Sequence, residues 1–278
     1  MLAERDANER LPVSRCDILC DMMDVPVADH ERFANPPLKA LVGQIRFPAV
    51  LRITDHGFIA PFQEQLRNEY PELLDETQFG IVAGPAGAVQ MEPQRQLRLA
   101  NFDKSWSVVL APTSLTLEAG VGYTDFGEFV SRFERIWAAA VEHIGPTRRV
   151  QQGLRYINHI EGDLAPSDWR TLVNPGLLGA VGGPELGENI EQWVSDYRIA
   201  RPDGTLVLKH GFVRAGIGNA PGYLLDFDYF TQLEPETLTA AAIASTFRSF
   251  HNVIYPLFIW CVTPAALDLF RSPRTGAQ

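Results

Sequence analysis

Between Phe126 and Ile144 the chain places Phe126, Phe129, Val130, Phe133, Ile136, Trp137, Ala140, Val141 and Ile144 at three- and four-residue intervals. That spacing gathers them into one continuous stripe along an α-helix. Thr124 or Asp125 stands where a side-chain cap begins such a helix, and Gly145-Pro146 stops it. Three phenylalanines and a tryptophan on one stripe are far more apolar surface than a solvated helix tolerates. The helix must therefore lie across a sheet.

The flanking sequence supplies that sheet. Asn35-Pro36-Pro37 blocks helix, and Leu38 to Phe47 reads as a strand apolar on both faces, hence internal. Phe58 to Tyr70 carries a helical pattern that Pro71 ends. A Gly/Pro/Ala loop near Gly84 to Gly87 precedes three strand candidates, Gln94 to Phe102, Trp106 to Ala111 and Ser114 to Ala119, whose hairpin-length connections predict an antiparallel meander. After the striped helix the order recurs. Gly153 to Glu161 reads as strand, Ser167 to Val173 as a short helix, and Asn174 to Gly187 as a loose Gly/Pro region. Strands then follow at Glu191 to Ala200, Thr205 to Ala215 and Gly222 to Thr231. A long helix begins near Pro235, is kinked or ended at Pro256, and is followed by a short helix from Thr263-Pro264.

The expected fold class is thus α+β: a duplicated β-α-β-β-β-α unit, with antiparallel curved sheets and long helices packed on one side, in the manner of TATA-binding-protein-like or helix-grip folds. A loose tail over residues 1–33, a first half over 34–147 and a second over 148–278 are expected, with the halves forming one unit.

Composition narrows the function classes. The 278 residues carry a formal charge of −10, with no cationic run longer than Arg148-Arg149, which disfavours a phosphate-backbone partner. No window reaches the roughly 18 apolar residues of a membrane span. The first residues lack a basic-then-apolar leader, so a cytoplasmic location is the default expectation. Three cysteines suit a reducing compartment. Cys16 and Cys20 share a helix spacing, but further ligands at suitable spacing are missing, so packing is the expected role and no metal or cofactor is expected.

Two stretches concentrate chemistry. In Gln151 to Asp163, Arg155, Ile157, His159 and Glu161 alternate with Leu154, Tyr156, Asn158 and Ile160. Arg155, Tyr156, Asn158 and His159 are the candidate binding residues: either Arg155 and His159 line a groove where the halves meet, or Arg155 pairs with an acid of the other half and Asn158 satisfies backbone groups at the seam. In the C-terminal strands, Asp226 and Asp228 share a face roughly 6.6 to 6.8 Å apart at Cα. A type I turn with a bulge at Arg201-Pro202-Asp203-Gly204 sets Asp196 opposite His210. Asp196, His210, Asp226 and Asp228 are then candidates for a general-base or metal site, against an ordinary cross-strand ion pair. That cluster depends on register, which a one-residue slip destroys. His251, on an apolar helix face, reads as a hydrogen-bonded packing residue, and His30, His56 and His143 show no partner in the sequence.

Several short motifs, Phe33-Ala34-Asn35-Pro36-Pro37-Leu38, Ile45-Arg46-Phe47, Gly153-Leu154-Arg155-Tyr156-Ile157-Asn158, Phe250-His251, Phe258 and Thr263, resemble a sporadically distributed bacterial family of uncharacterised proteins of about this length. The resemblance implies a stand-alone bacterial protein and brings no catalytic residue set.

Neither a Gly-x-Ser-x-Gly elbow, a P-loop, a His-Glu-x-x-His nor a Gly-x-Gly-x-x-Gly motif occurs, which counts against the common hydrolases, NTPases, kinases and dinucleotide enzymes. The expectation is a non-catalytic binding or interaction protein with a protein or small-molecule partner, in a toxin-neutralising or defence-associated setting. The alternatives are an enzyme using the Asp/His cluster and a nucleic-acid binder using a concave sheet face.

Overall fold

The striped helix does lie on a sheet. A computed structural model describes residues 30–78, 81–84, 87–90, 94–162, 164, 166–183, 190–214, 220–232 and 239–273. Cys16, Cys20 and almost all of the expected tail lie outside these residues. The strands are β1 (Leu38–Arg46), β2 (Glu72–Gln78), β3 (Ile81–Gly84), β4 (Gly87–Gln90), β5 (Gln94–Ala100), β6 (Trp106–Ala111), β7 (Ser114–Ala119), β8 (Gln151–Glu161), β9 (Ser195–Arg201), β10 (Gly204–Val213) and β11 (Gly222–Gln232). The helices are α1 (His56–Leu66), α2 (Phe126–His143), α3 (Pro175–Leu178), α4 (Ala240–Cys261) and α5 (Pro264–Arg271).

Nine strands form one antiparallel sheet in the order β2-β5-β6-β7-β1-β8-β11-β10-β9, and β3 pairs with β4 in a separate hairpin. The protein is therefore α+β, built on a single large sheet rather than two. The joint is the central pair β1–β8, in which Leu41 faces Tyr156 and Arg46 faces Gln151. Outward from that pair, one side runs β7, β6, β5, β2 and the other β11, β10, β9.

One sheet face is the core. Leu41 and Ile45 of β1, Leu154 of β8 and Tyr223, Leu225, Phe227 and Tyr229 of β11 are all fully buried. Helices α2 and α4 cover this face: Phe129, Phe133 and Trp137 of α2 and Phe247 and Phe250 of α4 are buried, and Phe250 stacks on Tyr229 at 4.4 Å. Each such side chain contributes about 1.5–3 kcal/mol on burial. Gly43 lets the helices approach, since a Cβ there would stand 2.7 Å from Phe129 Cζ and 3.1 Å from Phe247 Cζ. Asp125 caps α2 by accepting from Glu128 N at 2.8 Å, and Gly145, at φ 66°, ends it in the left-handed region.

Several expectations need correction. Residues 72–78, given no strand in the sequence reading, form edge strand β2, and the residues flanking the expected Gly/Pro/Ala loop, Ile81–Gly84 and Gly87–Gln90, pair as β3 and β4. The short helix expected at Ser167 to Val173 is a 3-10 helix over Pro166–Thr171, with α3 following at Pro175. Helix α4 starts at Ala240, capped by Thr239, and passes through Pro256 to Cys261 without ending. The expected start at Pro235 lies outside the described residues.

The hairpin register is also corrected. Arg201 pairs with Gly204, so Lys209 faces Asp196 and His210 faces Ser195. The bulged turn needed Gly204 at positive φ, and Gly204 is not among the described glycines that adopt it. It serves close approach instead: a Cβ would stand 2.4 Å from the Phe230 carbonyl oxygen.

Candidate functional site: a cavity under the N-terminal lead-in

The one-residue slip decides the fate of the Asp/His cluster. Directly opposed residues share a face, so Asp196, Lys209 and Asp226 align across β9, β10 and β11 on the second sheet face, and Val207, Asp228 and Arg155 align beside them. His210 faces Leu225 on the helix side, where it is fully buried, bonds the Tyr223 hydroxyl at 2.8 Å and stacks on Tyr197. Burial lowers the His210 pKa to about 4. Asp196, His210, Asp226 and Asp228 therefore do not converge, and the pairing of Asp196 with His210 is replaced by Asp196 with Lys209 at 3.8 Å.

The second face is a field of matched charges. Arg155 makes a bidentate pair with Asp226 of the neighbouring strand β11 (2.8 and 2.6 Å), not with an acid from residues 34–147 as expected. Asp226 is buried and the Arg155 side chain is 44% exposed. Burial raises the Asp228 pKa, against the opposing pull of Arg155. Arg98 is held between Glu76 and Glu118, and Lys39 pairs with Glu161. His159, on this face and 2% exposed, has no partner on either ring nitrogen among the described residues, and burial lowers its pKa. Arg155, Arg98, Lys39 and Lys209 on this face thus each have a carboxylate partner, an arrangement poorly suited to a phosphate backbone.

The four candidate binding residues divide two and two. Arg155 and His159 lie on the charged face, whereas Tyr156 and Asn158 point to the helix side and line a cavity of about 500 Å³. Its floor is β8 and the start of β1, where a register irregularity between Leu38 and Ala40 sets Leu38 against Asn158. One wall is α4, through His251, Ile254, Tyr255 and Phe258. A second is the 121–126 connection, and the roof is the lead-in 30–37. That lead-in is fastened at several points. Glu31 takes a bidentate pair from Arg271 (2.7 and 2.8 Å), and the Glu31 backbone N–H donates to the Tyr255 hydroxyl at 2.7 Å. Arg32 donates to the Thr124 carbonyl at 3.0 Å, Asn35 N–H to the Phe270 carbonyl at 2.8 Å, and Phe33 packs against Phe258 and Phe270.

Across the cavity wall runs a hydrogen-bonded chain. The Tyr156 hydroxyl bonds His251 Nδ1 at 2.8 Å, and His251 Nε2 bonds His30 Nδ1 at 2.8 Å, while Tyr123 lines the same cavity. Phe126 stacks on His251 (4.0 Å, 17°) and Tyr255 on His30 (4.6 Å, 13°). Burial, with His30 adding to it, lowers the His251 pKa to about 3, and burial raises that of Tyr123 to about 12 and that of Tyr156 well above its ordinary value. His251, Tyr123 and Tyr156 are therefore neutral near pH 7, so the Tyr156 hydroxyl and the His251 imidazole can each both donate and accept.

His251 as a hydrogen-bonded helix residue agrees with the sequence reading; its partner His30 was missed. The two are 221 residues apart, and no periodicity links a helix position to a lead-in loop. Phe33, Ala34, Pro36, Pro37 and Leu38 of the lead-in and first strand, with Tyr156, Asn158, His251 and Phe258, all line this cavity. His56, likewise without an expected partner, sits beside Arg95 and Asp75.

Among the described residues no group of three His, Cys, Asp or Glu side chains is placed to hold a metal ion, and no helix is long and apolar enough to cross a membrane. Neither a model of a known protein family nor a curated protein matches the chain.

Proposed function

We propose that this is a non-catalytic binding protein whose site is the cavity around His251. The observation that carries the reading is the hydrogen-bonded chain Tyr156–His251–His30 set into a largely apolar cavity. A volume of about 500 Å³ falls within the range of small-molecule sites, which combine apolar walls with a few convergent polar groups. Both ring nitrogens of His251 are taken up by protein partners, which suits a fixed recognition surface better than a general base. The enzyme reading through Asp196, His210, Asp226 and Asp228 loses its geometric basis, since a catalytic set must lie within hydrogen-bond reach of one substrate.

The same reading treats the chain as a duplicated β-α-β-β-β-α unit of TATA-binding-protein-like type. The mirrored strand order about β1–β8 supports this: β1, β5, β6, β7 and α2 correspond to β8, β9, β10, β11 and α4. The cavity lies at the seam of the two units, where α4, the 121–126 connection and β8 meet.

Native mass spectrometry of the gently purified full chain tests the function. A retained small molecule that is lost when Ile254→Trp fills the cavity supports the reading. A bare chain in both proteins, with the wild type folded, refutes it.

A further inference from the structure

Resting on that reading, the cavity's own chemistry specifies its occupant. We propose that it takes an uncharged, flat, largely apolar molecule that offers a hydrogen-bond donor to Asn158 Oδ1.

Three observations support this class. The first is charge. Glu31 and Asp125 at the rim already have counter-ions, Arg271 for Glu31 and Arg32 for Asp125 at 3.4 Å. Inside, His251 is neutral and bonded on both sides. An ionised ligand would lose its hydration and meet no free opposite charge, a loss large enough to exclude it.

The second is shape. Two flat stacks, Phe126 on His251 and Tyr255 on His30, border the space, and Pro36 and Pro37 add rigid apolar surface. Aromatic walls favour a planar guest that stacks or meets them edge-on.

The third is a vacant acceptor. Asn158 is 5% exposed, and its Nδ2 donates to the Leu225 carbonyl at 3.2 Å. That bond fixes the orientation of the amide, because a carbonyl oxygen requires the NH₂ end to face it. The side-chain oxygen then remains on the cavity wall, with no donor to it among the described residues. Tyr156 and His251, the neighbouring polar groups, satisfy one another. A ligand N–H or O–H at Asn158 completes the inventory; an apolar ligand without a donor leaves a nearly buried acceptor unsatisfied and binds about tenfold more weakly.

Three fluorescent probes sharing one aromatic frame test the proposal on the full-length protein. N-phenyl-1-naphthylamine is neutral and has one N–H, its N-methyl derivative has no donor, and 8-anilino-1-naphthalenesulfonate adds an anionic group. The neutral N–H probe is expected to bind with a blue shift, about tenfold tighter than the N-methyl probe and at least tenfold tighter than the sulfonate. Its signal should disappear in Ile254→Trp and in Ala34→Trp, the second variant altering an exposed roof residue and so sparing the core. Equal or tighter binding of the sulfonate, lost in the same variants, overturns the uncharged class while leaving the binding reading intact. Equal binding of the N-methyl probe overturns the role of Asn158. If none of the probes binds and native mass spectrometry also finds a bare chain, the binding reading fails and this inference fails with it.

Discussion

Replacing His251 with phenylalanine removes a titrating group from the cavity while keeping a flat ring against Phe126. Burial lowers the His251 pKa from 6.5 to about 3, so the unfolded chain takes up a proton here at a pH where the folded chain does not. Stability from this site is therefore present above about pH 6.5 and is lost as the pH falls toward 3. At pH 5 the unfolded imidazole is about 97% protonated, and the linkage amounts to about 2 kcal/mol. That value hardly depends on the folded pKa so long as it stays below about 4, because the unfolded state alone then titrates in the interval. Urea unfolding of wild type and His251→Phe at pH 7.5 and pH 5.0 provides the assay. The loss on acidification should be about 2 kcal/mol smaller in the variant. The constant cost of the two lost hydrogen bonds, about 1 kcal/mol each, cancels in the double difference. Burial also lowers the pKa values of His159 and His210, whose titration is common to both proteins. The charged and titratable groups around His251 are His30, Glu31, Arg32, Tyr123, Asp125, Tyr156 and Tyr255, all retained in the variant. Equal acid sensitivity in the two proteins would falsify the reasoning, since His251 would then be hydrated rather than locked between Tyr156 and His30.

Arg155→Met should destabilise by about 1–3 kcal/mol in urea titrations, the half-exposed arginine sitting at the low end for a broken buried pair, and adding Asp226→Leu should recover most of the loss. His159→Leu removes two unsatisfied ring nitrogens from a site 2% exposed and is expected to raise stability by about 1 kcal/mol; a loss of that size would mean that the imidazole has a partner. Gly43→Ala forces a methyl to within 2.7 Å of Phe129 Cζ in a filled core and should cost about 1–3 kcal/mol, read as a fall in the thermal midpoint of a few degrees. An unchanged or raised midpoint would show that the two helices can move apart.

The parts of the fold legible in the sequence are those whose signal is local and strong. The stripe on α2, the internal character of β1, and the β5–β6–β7 meander follow from periodicity and turn chemistry, and each stands where those signals place it. Strand β2 escaped because Glu72 to Gln78 is polar and lies at the sheet edge, where only one neighbour and little burial constrain it. The β9–β10 register escaped because Gly204 carries two possible meanings, a left-handed turn residue or a close approach to Phe230, and only the neighbouring strand decides between them. The cavity was half visible. Tyr156 and Asn158 stood out as candidates, but their grouping with Arg155 and His159 followed sequence proximity, whereas a strand sends alternate residues to opposite faces. What unites the site is tertiary: a lead-in loop, a central strand and a C-terminal helix.

The central β1–β8 pair has a consequence for how the chain acquires its structure. Its partners are 105 to 120 residues apart in sequence, Arg46 with Gln151 and Leu38 with Asn158. During synthesis β7 can pair with one edge of β1 long before β8 has emerged from the ribosome. For that interval the other edge of β1, bearing Leu38, Leu41, Val42 and Ile45, is a bare template for any strand nearby. The nascent protein is thus most vulnerable to wrong partners along the line that later becomes the middle of its sheet, and the arrival of β8 both closes that line and brings Tyr156 and Asn158 to the cavity.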